Sequence, residues 1–256
     1  MDNGMNIDEI RKLGERIKNN ISEVIVGKGD VIDLVTTALF CSGHVLLEDV
    51  PGVGKTVLAK CLAKSIKCKF KRIQFTPDLL PTDLTGINYY NQKLGEFIFR
   101  EGPIFTNIVL ADEINRATPR TQSSLLECME EEQVTIDGET KRLSRPYFVI
   151  ATQNPVEIQG TFPLPEAQLD RFFVRLKIGY PNSEEGKAIL DRFEKSNPFP
   201  AITSVANAED IMKAQDSITR VKVSDDLKNY IIEIIEMTRN HEKILLGVSP
   251  RGSLAL

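Results

Sequence analysis

The stretch Val45-Leu-Leu-Glu-Asp-Val-Pro-Gly-Val-Gly-Lys-Thr56 narrows the folds open to this 256-residue chain more than any other. An apolar run, Val45 to Leu47, enters a tight loop carrying Pro51, Gly52, Val53 and Gly54. Lys55, Thr56 and Val57 then open a helix-favouring segment that continues to Ile66. Strand, loop and helix with Gly-Lys-Thr at the helix start form a phosphate-binding arrangement. Glycines let backbone N–H groups converge on an anion, because no Cβ blocks the approach or the unusual φ values. The helix N-terminus adds unpaired donors and the positive end of its dipole. Lys55 is placed to reach the β- and γ-phosphates of a nucleotide, and the Thr56 hydroxyl to ligate Mg²⁺. The signature G-x-x-x-x-G-K-[ST] asks for glycine where this chain has Asp49, so a carboxylate stands at the loop's entrance.

Ile108-Val-Leu-Ala-Asp-Glu113 is the second decisive stretch. Its unbroken apolar run suits a parallel strand buried on both faces. It ends in two carboxylates at the strand's C-terminal edge, where open α/β sheets bind ligands. Asp112 is placed to hold Mg²⁺ through water, and Glu113 to orient and polarise the water that attacks a γ-phosphate. Alone, such a pair is more often a solvated strand end; following a phosphate loop, it favours nucleotide hydrolysis. Tyr147-Phe-Val-Ile-Ala-Thr152 is a further buried strand ending at Gln153-Asn154-Pro155. The Asn154 amide can bond the γ-phosphate or the attacking water, although one such Asn alone reads as a turn residue before proline.

The remaining elements follow from periodicity. Asn6 to Val26 and Asp30 to Cys41 read as helices, and Phe70 to Phe75 as a strand. Asp78 to Leu84 reads as a short helix broken by Pro81. Gly86 to Arg100 and Gln133 to Leu143 read as hairpins, the second turning at Asp137-Gly138. Thr121 to Glu132 is a helix, Leu164 to Phe172 a short one ending in Asp170-Arg171, and Val174 to Ile178 the last strand. Beyond Tyr180-Pro-Asn-Ser183 the pattern is helical only: Ser183 to Lys195, Ala208 to Ile218, Ser224 to His241, and a start at Ser249-Pro-Arg251. These readings divide the chain into an α/β core over 1–181 and a helical part over 182–256.

Composition adds exclusions. The net charge of −4 gives no global basic signature for nucleic acid or membrane surfaces, and no apolar run is long enough to span a bilayer. The start, Met1 to Met5, lacks the order of a secretory signal. Cys41, Cys61, Cys68 and Cys128 form no C-x-x-C pair, and His44 and His241 are isolated, which argues against zinc and for free thiols in a reducing cytoplasm.

Five stretches together resemble an AAA+ ATPase of the MoxR family, in the clade with a hairpin inserted in its second helix: Leu47 to Thr56, Ala111 to Ala117, Ala151 to Pro155, Leu164 to Phe172 and Gly247 to Arg251. The resemblance spans Val26 to Leu256. It implies an α/β fold, a P-loop NTPase three-layer αβα core with a parallel sheet, followed by an all-helical AAA+ lid that is partial here. It implies ATP as substrate, ADP as product and Mg²⁺ as cofactor. By position, Lys55 and Thr56 match Walker A, Asp112 and Glu113 Walker B, and Asn154 sensor 1. Ile25, Val26 and Gly27 match the segment lining the adenine. Arg171 matches the arginine finger that reaches the neighbouring subunit's nucleotide, ahead of Arg116 and Arg120. Arg251 matches sensor 2, contacting the γ-phosphate of its own subunit. A bland reading pairs Arg171 with Asp170. The family's homo-oligomers are rings, hexameric by expectation, whose two hairpins face the central pore. Its chaperone-like members act on protein clients, often with a von Willebrand factor A domain. A magnesium-chelatase-type motor subunit and a nucleotide-gated module without turnover are the alternatives. A DNA motor fits the acidic balance less well.

Overall fold

The computed structural model describes residues 4–155, 160–195 and 197–256. Met1 to Asn3 and Ser196 lie outside them, as do residues 156–159.

Helices α1 (Ile7–Ser22) and α2 (Gly29–Phe40) precede the first strand, β1 (Val45–Glu48), which leads through the glycine-rich loop into α3 (Lys55–Ser65). β2 (Phe70–Gln74), α4 (Pro81–Thr85) and a hairpin of β3 (Gly86–Asn91) and β4 (Glu96–Glu101) follow. Next come β5 (Ile108–Asp112), α5 (Pro119–Glu131) and a second hairpin, β6 (Gln133–Ile136) with β7 (Glu139–Arg142). β8 (Phe148–Gln153), α6 (Glu166–Leu169) and β9 (Val174–Leu176) complete the sheet. α7 (Ser183–Lys195), α8 (Ala208–Ile218), α9 (Asp225–Asn240) and α10 (Pro250–Ala255) end the chain.

Five strands form one parallel sheet in the order β2-β5-β8-β1-β9. The apolar runs split by alternation, because successive side chains of a strand point to opposite faces. Val45, Leu47, Ile108, Leu110, Phe148 and Ile150 share a buried cluster with α1, α2 and α3. Leu46, Val109, Ala111, Val149 and Ala151 pack with Leu125, Leu126 and Met129 of α5 on the other face. The result is the expected three-layer αβα core, and it explains why these strands read as continuous apolar runs.

Local chemistry fixes the element ends, with some departures from expectation. α1 begins where Asn6 caps it in a reciprocal box with Glu9, and stops at Ser22, four residues short of Val26. The β-branched Ile25 and Val26 and the left-handed Gly27 (φ +70°) disfavour continuation. Pro81 starts α4 and does not break it; at the first helical position its missing N–H is no loss. Pro119 starts α5 in the same way. α6 is a single turn, so Arg171 lies just past its end.

The helical tail is not uniform. Ile202, Ala206, Ile211 and Ala214 join the cluster of α1 and α2, and Gln215 donates from its side chain to the Leu39 carbonyl at 2.8 Å. α8 is thus built into the core layer, although it falls beyond residue 181. α9 is different: Ile235 is its one fully buried side chain, while Leu227, Tyr230, Ile232 and Met237 are exposed.

Candidate functional site

The sheet's C-terminal edge gathers the Walker residues. β8 lies between β5 and β1, with Ala111 opposite Ala151, Leu47 opposite Thr152 and Glu48 opposite Gln153. Asp112, Thr152 and Leu47 are therefore abreast; Glu113 lies one step further along the same edge, and Asn154 and Asp49 two. Asn154 is buried at 5% exposure. The loop then turns through Gly52 (φ +87°) and Gly54 (φ +96°), the latter at the start of α3. A Cβ at either glycine would meet nothing within 4 Å, so the backbone conformation and not crowding requires glycine there. Lys55 and Thr56 open α3, and Val57 is exposed behind them.

Lys55 leans back over the loop: its Nζ donates to the Asp49 carbonyl at 2.7 Å. Burial lowers the pKa of its ammonium, while the charges of Asp112, Asp49 and Glu113 oppose that shift. Three carboxylates around one lysine create a site in which a bound phosphate needs further positive charge, which fits a phosphate–cation pair.

Asp112 is held at both oxygens. Thr152 Oγ1 donates to one at 2.6 Å, and Arg72 grips the other through Nε at 2.9 Å and Nη2 at 2.7 Å. Glu113 adopts a left-handed backbone (φ 57°, ψ 49°), a strained state that for a non-glycine residue costs on the order of 1–3 kcal/mol and concentrates at functional sites. The Thr152 hydroxyl accepts its N–H at 2.9 Å. Its carboxylate accepts from Gln74 Nε2 at 2.8 Å and from Arg116 Nη1 at 3.3 Å. Gln74, opposite Asp112 in the sheet, and Arg72 thus restrain the two Walker B carboxylates.

Ile25 and Val26 are half-buried, and Gly27 sits against Glu185, whose carboxylate a Cβ there would strike at 2.1 Å. Lys28 holds that region to the last strand's exit, through the Tyr180 carbonyl and the Glu185 carboxylate, both at 3.1 Å.

Arg171 and Arg251 are not at this edge. Both pair with one carboxylate on α5: Arg171 Nη2 lies 3.3 Å from Glu130 Oε2, and Arg251 Nη2 bonds Glu130 Oε1. Asp170 accepts from Ser249 Oγ at 2.7 Å, so it docks α10 and does not pair with Arg171. The two arginines line a cavity of about 670 Å³ with Gly43, His44 and Phe172. Those residues precede β1 and β9, at the N-terminal edge of the sheet. Six residues of extended chain separate Gly43 from Asp49, roughly 20 Å, which no side chain bridges. The expected contact of Arg251 with a γ-phosphate in its own chain is therefore not formed; strand polarity places it beside Arg171.

Comparison with known proteins agrees with this geometry. Residues 44–174 match the profile of the ATPase family associated with various cellular activities (AAA). YeaC of Bacillus subtilis, an uncharacterized protein, is 56% identical over 244 residues, covering 95% of this chain and 76% of that one. Chaperone MoxR1 of Mycobacterium tuberculosis is 39% identical over 251 residues, covering 94% and 66%. A crystal structure from Cytophaga hutchinsonii, assigned as an ATPase, superposes with a TM-score of 0.87 at 38% identity, covering 97% of this chain and 79% of that chain. This chain belongs to the MoxR family of AAA+ ATPases.

Within a MoxR ATPase the restraints on Walker B are the part that motif reading misses. Arg72 and Gln74 carry no motif of their own. Their signal is position: alternate polar residues on an edge strand in register with Asp112. Glu130 was equally hidden among the acids of α5. Among the described residues no group of three or more His, Cys, Asp or Glu is arranged for a metal. The oxygen donors that are present, the Asp112 carboxylate and the Thr56 hydroxyl, are of the kind that would hold Mg²⁺, which keeps its waters and binds through one or two protein oxygens plus substrate phosphates. Among the described residues no helix is long and apolar enough to cross a membrane.

Proposed function

We propose that the chain hydrolyses ATP to ADP and phosphate with Mg²⁺, as a chaperone-like motor whose active sites form between copies arranged in a ring. The observation that carries this reading is the split of the site: Lys55, Asp112, Glu113 and Asn154 at one edge of the sheet, Arg171 and Arg251 at the other. A homo-oligomer joining opposite edges brings both halves to one nucleotide; a hexamer is the expected ring.

In that site Lys55 moves from the Asp49 carbonyl to the β- and γ-phosphate oxygens. Glu113 leaves Gln74 and Arg116, accepts a proton from water, and directs the water oxygen onto the γ-phosphorus as the bond to the ADP oxygen breaks. Asn154 holds that water or the γ-phosphate. Arg171 and Arg251 of a neighbouring copy neutralise charge on the transferring group. Bound with ATP, Mg²⁺ supplies positive charge to the phosphate oxygens. Ile25, Val26 and Gly27 receive the base, while Pro51, Gly52, Val53, Gly54 and Val57 shape the phosphate cradle. The name chaperone borne by the Mycobacterium relative supports a protein client, with a von Willebrand factor A domain protein as one class. The exposed Tyr90, Leu94 and Phe97 of the β3–β4 hairpin are the surface offered to it.

The test is steady-state ATPase activity against chain concentration, for the chain, Glu113→Gln and Arg171→Ala. Specific activity should rise with concentration. Glu113→Gln should bind ATP and turn over on the order of 10²–10⁴-fold more slowly. Arg171→Ala should lose on the order of 10³-fold or more in rate with ATP binding retained. Specific activity independent of concentration would sink the shared-site reading.

A further inference from the structure

Asp49 is a carboxylate at 8% exposure, in the position where the loop signature places glycine, and the chemistry proposed above gives it no role. It is gripped at both ends. Its carbonyl accepts from Lys55 Nζ at 2.7 Å. Its carboxylate accepts from its neighbour, the Val50 N–H, at 2.9 Å and from the Gly179 N–H at 2.6 Å. The last contact spans 130 positions in sequence and is the short, charge-assisted kind, about twice as strong as a neutral one. Gly179 follows β9 in the left-handed region (φ +70°) and leads to Tyr180 and Glu185, which Lys28 holds. Lys28 in turn adjoins Gly27 and the 25–27 segment.

These bonds form a continuous path: Lys55 to the Asp49 peptide, its carboxylate to Gly179, the 179–185 link to Lys28. A glycine at position 49 would supply only the first bond. From this arrangement we infer that Asp49 is a positioning residue that couples the phosphate loop to the β9–α7 link, so that nucleotide at Lys55 is felt over 179–185 at the base of α7. The inference rests on the nucleotide-binding reading. Its physical basis is that Lys55, the phosphate ligand, is bonded to the very peptide whose side chain anchors Gly179. A phosphate that draws Lys55 off the Asp49 carbonyl removes one of the bonds that hold that peptide, and the other bonded end of the same residue is the Gly179 N–H.

The experiment is amide exchange on the full chain with and without Mg·ADP, for the chain, Asp49→Gly and Asp49→Asn, alongside ADP affinity. Asp49→Gly restores the signature glycine, so ADP affinity should stay within a few-fold. The Gly179 amide should exchange on the order of 10-fold faster without nucleotide, and the ADP-dependent change over 179–185 should vanish. Asp49→Asn keeps one acceptor oxygen and should restore part of both; it also serves if Asp49→Gly fails to fold. An unchanged ADP response over 179–185 in both variants would overturn the coupling alone. So would loss of ADP binding in folded Asp49→Gly, which would make Asp49 part of the phosphate site. An unsubstituted chain that binds no ADP would overturn the nucleotide reading and this inference with it.

Discussion

His44 supplies a quantitative handle on the core. Its ring is buried, at 5% exposure, between the start of β1, α5 and β8. Nε2 lies 2.8 Å from the Met129 carbonyl and Nδ1 accepts from the Val149 N–H at 3.2 Å. These contacts select one neutral tautomer, with the proton on Nε2, and a second proton on Nδ1 would face the Val149 donor. The Tyr147 and Phe148 ring centroids lie 6.1 and 6.3 Å away. Burial, opposed only by the Met129 bond, pushes the pKa down from 6.5 to about 4. The unfolded chain then binds the proton first as pH falls. Stability is complete above about pH 6.5 and is lost as pH drops towards 4. From these two values the loss is about 2 kcal/mol at pH 5 and about 3 kcal/mol at pH 4. Urea unfolding followed by circular dichroism at pH 7 and pH 5 measures it, with His44→Gln as the reference, since glutamine offers a donor and an acceptor but does not titrate. The unsubstituted chain should lose about 2 kcal/mol more than His44→Gln between those pH values. Equal losses would refute the argument, because they would mean that the ring is free to charge inside the fold.

Two further outcomes follow from the same contacts. Arg72→Ala removes the guanidinium that holds one Asp112 oxygen, so the Mg²⁺ concentration for half-maximal ATPase activity should fall several-fold; a Mg²⁺ titration showing no change or a rise would contradict competition for that oxygen. α9 buries only Ile235 fully whereas α8 buries Ile211, Ala214 and Gln215, so amides within 225–240 should exchange much faster than those within 208–218; equal protection would show that α9 is held by more than its packing.

What was legible in the sequence was whatever depends on neighbours along the chain. The glycine-rich turn, the apolar runs and the proline-started helices are local, and each element arose within a few residues of its expected place. Even the departures are local: Pro81 inside a helical pattern suggests a break, but at a first helical position its missing N–H is no loss. What stayed hidden depends on strand order. Arg72 meets Asp112 only because β2 and β5 are adjacent in the sheet, 40 positions apart in sequence. Glu130 meets Arg251 across 121 positions, and Asp49 meets Gly179 across 130. A carboxylate's direction is not encoded in its own neighbourhood, so the departure at Asp49 was visible while its partner was not.

The pairing of Arg171 and Arg251 with Glu130 bears on the shared site. All three side chains are between 31% and 45% exposed, and exposed ion pairs contribute about 0–1 kcal/mol each. Two arginines placed for stability would be poorly used on one solvated carboxylate. The same two guanidiniums on a polyphosphate would make several charge-assisted bonds, shorter and stronger than those to Glu130. The weak resting contact therefore holds the pair together at little energetic penalty to their release. α10 is fixed to the same place by the Ser249–Asp170 bond, so Arg251 arrives with Arg171 as one unit. Because strand polarity puts that unit at the edge opposite Lys55, the proposed shared site draws it from another copy, and the direction of β1 is what supports that proposal.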